Sequence, residues 1–161
     1  MNLALTRLSG RAPRGERAIG AVPQNYGAKV TMLASLGSQG IEAMMTVEGA
    51  TDTDVFRAYV EQGLRPTLHP GALVIMDNLR AHKAAGIREA IEQAGAQLLY
   101  VPPYSPDLSP IERCWAKLKT YLRKAKARTR EALETAITAA LLTVTATDAH
   151  GWLAYAGYAL R

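Results

Sequence analysis

A chain of 161 residues with 48% hydrophobic side chains is sized for one globular domain with its own core, and no composition shift announces a second. Its one cysteine, Cys114, excludes an internal disulfide and a Cys-x-x-Cys metal knuckle, while apolar runs such as ALVIM and AITAALLTV fall far short of a membrane span. Lys and Arg exceed Asp and Glu by 19 to 14, which points to a polyanionic partner, nucleic acid first.

The opening stretch LSGRAPRGERAIGAVPQNYG is rich in Gly, Pro and Arg. It predicts irregular connections around at most one short strand at RAIGAV, and no GxxxxGK[ST] phosphate loop follows it. KVTMLASLG and GIEAMMTVEG, joined by a Gly-bounded polar link, predict an antiparallel hairpin. In TDTDVFRAYVEQGL (51–64) the apolar pairs Val55/Phe56 and Tyr59/Val60, then Leu64, recur at helical spacing, with Thr51 and Asp54 forming a Thr-x-x-Asp start. ALVIMD predicts a strand buried on both faces and ending at Asp77. A helix from His82 to Ala94 follows, with Ile87 and Ile91 inward and Gly95 as its stop, and AQLLYV is the next buried strand, so the three elements make a βαβ unit with a parallel pair. The remaining predicted helices run from Pro110 to about Lys124, from Arg130 to about Thr145, and through a short tail near AHGWLAYAGY.

The basic surplus belongs to the second half, where residues 117–130, KLKTYLRKAKARTR, hold seven basic side chains and no acidic one. Lys117, Lys119, Arg123, Lys124, Lys126 and Arg128 are the candidate DNA contacts; a solvated helix face accounts for the run equally well. Four of the eight prolines fall between Pro102 and Pro110, immediately ahead of this helix, and stiffen a loop that delivers Glu112. An Asp just past the carboxyl end of a buried strand, as Asp77 is expected to be, is placed for ligand or metal work. Each carboxylate also has a plain structural explanation. Asp77-Asn78 could terminate a strand through local hydrogen bonds, and Ser109, Pro110 and Glu112 fit a capping box. If the two carboxylates converge, they offer oxygen to a pair of hard divalent cations, which can clamp the attacking and leaving oxygens of a phosphodiester displacement.

VIMDNLRAHK, the 34 residues between Asp77 and Glu112, and YVPPYSPDLSPIERCWAKLK together resemble the DDE transposases of the mariner superfamily, especially the bacterial insertion-sequence 630 branch. The resemblance extends from GRAPRGER near the start to GY near the end. It implies an α/β, RNase H-like (integrase-like) mixed sheet flanked by helices, with DNA cleavage at transposon ends and strand transfer to target DNA supported by Mg²⁺ or Mn²⁺. Asp77 and Glu112 match the family's second and third metal-binding carboxylates. Asn78, His82, Tyr104 and Ser105 match motif positions near the site, with supporting or phosphate-contacting roles, although His82 could equally serve a helix start. Ser109 stands where the family usually carries Asn.

The family's first Asp lies on a central strand upstream of the segment resembling residues 1–20, and none of Glu16, Glu42, Glu48, Asp52, Asp54 or Glu61 ends a buried strand in its place. The expectation is therefore a single truncated catalytic domain over 1–161, lacking the first, central strand and the upstream helix-turn-helix region, with 129–161 as a helical extension. Such a chain is a remnant or the second of two reading frames, its missing Asp supplied by an upstream product. By resemblance its partners are transposon ends and target DNA, on which it could dimerise, with no membrane and a cytoplasmic, nucleoid-associated location in a bacterium. Two other readings stay open: a non-catalytic DNA-binding remnant and, ranked last, a small-molecule-binding α/β domain, which the absence of a Gly-rich phosphate turn disfavours.

Overall fold

The computed structural model describes residues 3–7, 9–24, 27 and 29–159. Residues 9–24 form no strand, and the RAIGAV segment expected to do so leaves Ile19 97% and Val22 63% exposed. Apolar side chains alone do not make a strand when no neighbouring edge covers them.

The predicted hairpin is present as β1 (Val30–Gly37) and β2 (Gly40–Glu48), paired antiparallel from Val30 opposite Glu48 to Gly37 opposite Gly40, with a bulge between Ser35 and Leu36. Its alternation explains its composition. Val30, Met32, Leu36, Ile41 and Met44 join one apolar cluster, whereas Leu33, Ala43 and Met45 join another on the opposite side. Both faces are covered, so apolar side chains stand on both of them. The core thus has two halves with the hairpin as their common wall, rather than the undivided core the length suggests.

The first half holds α1 (Thr53–Tyr59), which runs on through a π turn at Val60–Leu64 and a 3₁₀ turn at Arg65–Thr67. Phe56, Tyr59, Val60 and Leu64 are buried as the spacing predicts. The start differs by one residue from the expected cap: Asp52, not Thr51, accepts the Val55 amide at 2.9 Å, and Asp54 pairs with Arg57 at 3.5 Å. β3 (Leu73–Met76) and β4 (Gln97–Tyr100) pair in parallel, Leu73 opposite Gln97 and Met76 opposite Tyr100. Between them the expected single helix is broken into a 3₁₀ turn at Ala81–Lys83 and α2 (Ile87–Glu92). Ala84 is extended and Gly86 takes φ 87°, a left-handed conformation that glycine adopts without strain, so the helix must restart there. Ile87 and Ile91 are fully buried as expected, and Gly95, with φ 78°, ends the segment.

β3 and β4, expected to be buried on both faces, are not. Val74 and Leu98 enter the core, but Leu73 and Leu99 are 50% and 54% exposed, because this pair forms a two-stranded sheet sharing no ladder with the hairpin. Among the described residues the strands thus form two separate two-stranded sheets.

The second half of the core is helical. In α3 (Ile111–Ala125), Cys114, Leu118 and Leu122 repeat every four residues and are buried. In α4 (Arg130–Leu141), Leu133, Ala136, Ile137 and Ala140 face them, and Thr129 caps the helix by accepting from Ala132. α5 (Ala146–Tyr155) begins with a capping box formed by Thr145 and Asp148. Among the described residues no helix is long and apolar enough to cross a membrane.

Candidate active site

Parallel register brings the ends of β3 and β4 to one edge. Met76 and Tyr100 are opposite each other, the Val101 amide donates to the Met76 carbonyl at 2.9 Å, and the Asn78 side-chain amide donates to the Val101 carbonyl. Asp77 leaves the strand there with its side chain 48% exposed. Its Oδ1 accepts from the Leu79 amide at 2.9 Å, the local turn bond foreseen as an alternative to function. The same oxygen lies 2.7 Å from His82 Nδ1, although that nitrogen lacks the alignment of a hydrogen bond. His82 is held from two other sides: its ring packs on Phe56 with centroids 4.3 Å apart, and its carbonyl accepts from the Tyr100 hydroxyl at 2.9 Å. Asp77 Oδ2 has no protein partner among the described residues.

The proline loop crosses from β4 to α3. Tyr104 takes a left-handed φ of 59° and is fully exposed, and the Ser105 hydroxyl donates to the Pro103 carbonyl at 3.4 Å. A 3₁₀ turn at Pro106–Leu108 precedes α3. The expected capping box is absent. Pro110 occupies the N-cap without a side-chain bond, and Ser109 takes part only through its carbonyl, which accepts the Glu112 amide at 3.1 Å. Capping therefore does not account for Glu112. Its exposed carboxylate has no hydrogen bond or ion pair among the described residues, and it lines a cavity of about 230 Å³ with Asp107, Arg113, Trp152 and Tyr155.

Free carboxylate oxygens at Asp77 and Glu112 are the donor type that Mg²⁺ and Mn²⁺ prefer. Among the described residues, however, no three His, Cys, Asp or Glu side chains group as a metal site, so Glu112 does not complete one with the touching Asp77 and His82. The structure thus joins Asp77, Asn78 and His82 at one edge and sets Glu112 against α5.

The basic run divides in the same way. Lys117 is committed to the protein, its Nζ donating to the Thr143 carbonyl at 2.7 Å and to Asp148 Oδ2 at 2.5 Å. Asp148 is correspondingly held at a pKa of about 2, first by that bond and then by the Thr145 amide. Arg128 donates to the Leu3 and Leu5 carbonyls at 2.8 and 3.0 Å. Lys126 ends α3 in a left-handed conformation. Lys119, Arg123, Lys124 and Lys126 have no ion pair or side-chain hydrogen bond among the described residues, and they are the cations available to a polyanion. Sequence reasoning passed over Arg113, whose guanidinium sits 3.4 Å over the Tyr155 ring; its position beside Glu112 was the available signal.

Known proteins bear directly on this arrangement. The Tcb2 transposase of Caenorhabditis briggsae is 25% identical over 105 residues, covering 63% of this chain and 38% of that protein. Among solved structures, a Mos1 transposase paired-end complex with the left transposon end superposes with a TM-score of 0.68 at 17% identity, over 96% of this chain and 48% of the Mos1 chain. A Mos1 mariner paired-end complex with Mn superposes at 0.62 with 18% identity, over 94% and 49%. The chain accordingly has the RNase H-like fold of these catalytic domains and spans half or less of each relative's length. Residues 1–134 match the family described as DDE superfamily endonuclease, and the chain belongs to that family.

Proposed function

We propose that the chain is a piece of a transposase catalytic domain, of the insertion-sequence 630 branch of the mariner superfamily, that acts on transposon-end and target DNA. The observation that carries the reading is the state of Glu112, a carboxylate delivered by a proline-stiffened loop and without a hydrogen bond or ion pair among the described residues. Asp77 and Glu112, which the structure does not group into one site, would each offer oxygen to a divalent cation, Mg²⁺ or Mn²⁺. When bound, that ion stabilises charge on the phosphoryl oxygens and makes a water or hydroxyl a better nucleophile. Asp77 Oδ1 accepts from the Leu79 amide with His82 Nδ1 2.7 Å away, so Oδ2 is the oxygen left without a protein partner among the described residues. Asn78 ties the two strand ends that carry the site. Lys119, Arg123, Lys124 and Lys126 hold the phosphate backbone, and two copies assemble on paired ends.

Two carboxylates do not make a three-ligand site, so cleavage requires a further acidic ligand. A DNA-binding role without cleavage is the second reading, favoured by the absence of a three-ligand group among the described residues. The test combines binding and nicking of transposon-end DNA in Mn²⁺. The chain should bind with a salt dependence that flattens by about one unit of slope for each of Lys119, Arg123 and Lys124 neutralised. Any nicking should depend on Mn²⁺, and Asp77→Ala should abolish it. Nicking that survives Asp77→Ala overturns the catalytic assignment. An unchanged salt slope removes α3 from the DNA interface.

A further inference from the structure

Something must set the direction of Glu112, and the start of α3 does not do so unaided. Its N-cap makes no side-chain bond, and the loop before it carries an exposed, left-handed Tyr104. Three contacts with the carboxyl-terminal segment stand in place of a cap. The Tyr158 hydroxyl donates to the Leu108 carbonyl at 2.7 Å, four residues before Glu112. Arg113, one residue after it, lies over the Tyr155 ring. Lys117, five residues after it, bonds Thr143 and Asp148.

From these contacts we infer that α5 and the tail through Tyr158 form a positioning clamp for the Glu112 turn; its catalytic consequence rests on the role proposed for Glu112 above. The order of the contacts supports it. Leu108, Arg113 and Lys117 ascend the chain while Tyr158, Tyr155 and Asp148 descend it, so the two segments close like an antiparallel zipper around residue 112. The buried face of Cys114, Leu118 and Leu122 sets the rotation of α3 as a whole, and the three tail contacts restrain the uncapped first turn that carries Glu112. The clamp is itself anchored. The Tyr158 amide donates to the Leu153 carbonyl at 3.0 Å, Ala156 is buried, and Asp148 Oδ2 also accepts from the Thr145 amide at 2.9 Å. Tyr158 and Tyr155 are therefore positioning residues for Glu112.

The experiment uses the whole chain and two readouts. Hydrogen exchange in Tyr158→Phe should quicken at residues 108–115 and stay unchanged at 118–125, which the core holds. Unchanged exchange at 108–115 overturns the clamp whatever the metal does. The second readout is Mn²⁺ affinity, followed by the electron paramagnetic signal of the free ion, for Tyr158→Phe, Glu112→Gln and the double variant. Tyr158→Phe should weaken Mn²⁺ binding by up to about tenfold, the lower range for groups that orient a metal ligand, and add nothing on top of Glu112→Gln. Full additivity, or unaltered affinity in Tyr158→Phe when Glu112→Gln is weakened, refutes positioning. An unaffected Glu112→Gln refutes the metal role of Glu112, and exchange at 108–115 then still decides whether the clamp exists.

Discussion

Asp148→Asn tests the electrostatics that join α3 to α5. Asp148 Oδ2 accepts from Lys117 at 2.5 Å and from the Thr145 amide and hydroxyl at 2.9 and 2.8 Å, and its pKa falls from 3.8 to about 2. At ~1.4 kcal/mol per tenfold change in proton affinity, this drop sets a ceiling of about 2 kcal/mol on the stability that ionised Asp148 contributes. The side chains of Lys117 and Asp148 are 35% and 27% exposed, so solvent screening brings the expectation down to about 1 kcal/mol. The sign follows from the direction. An acid whose pKa is lowered by folding stabilises the fold above its unfolded value and loses that contribution as the pH drops through 3.8 toward 2. Urea unfolding of the unsubstituted chain and of Asp148→Asn should therefore differ by about 1 kcal/mol at pH 7 and converge near pH 2. A difference that stays constant across that range would show that shape or packing, not the ionised carboxylate, holds the helix pair together.

Two further outcomes follow from the packing. Leu118 is completely buried between α3, α4 and the hairpin, so Leu118→Ala should cost about 2–5 kcal/mol in urea unfolding; a loss below 1 kcal/mol would mean that the helical half of the core can collapse around the cavity. Cys114 is fully buried and its thiol is pushed up to about 11, chiefly by that burial, so a thiol reagent at pH 8 should label it only in step with unfolding; rapid labelling of the folded chain would contradict the packing of α3.

The elements were largely legible in the sequence because their periodicity is strong: the hairpin, the parallel pair and the buried faces of α3 and α4 all follow it. Their ends were less legible. The pattern Thr-x-x-Asp occurs at Thr51–Asp54 and again at Thr145–Asp148, yet only the second forms a capping box, where Lys117 also reaches Asp148 from α3. The Ser109 box fails, and the loop is held through backbone carbonyls instead. The break ahead of α2 turns on Gly86, which a helical reading of residues 82–94 passes over. At the site, Asp77 past a strand end and Glu112 past a proline loop were readable as positions. The commitment of Lys117 and Arg128 was not, because their partners lie 31 and more than 120 residues away in the chain.

The two-sided hairpin carries a problem of alignment. In a ribbon with one oily face and one wet face, slipping by a single residue would turn the whole pattern inside out, and that penalty fixes the pairing. Here both faces are oily, so the penalty is small and the alignment must be secured locally. The irregular step between Ser35 and Leu36, the left-handed Gly40 at φ 122°, and the Ala43 amide held by the Ser35 hydroxyl at 3.1 Å sit together at the closed end and act as its ratchet.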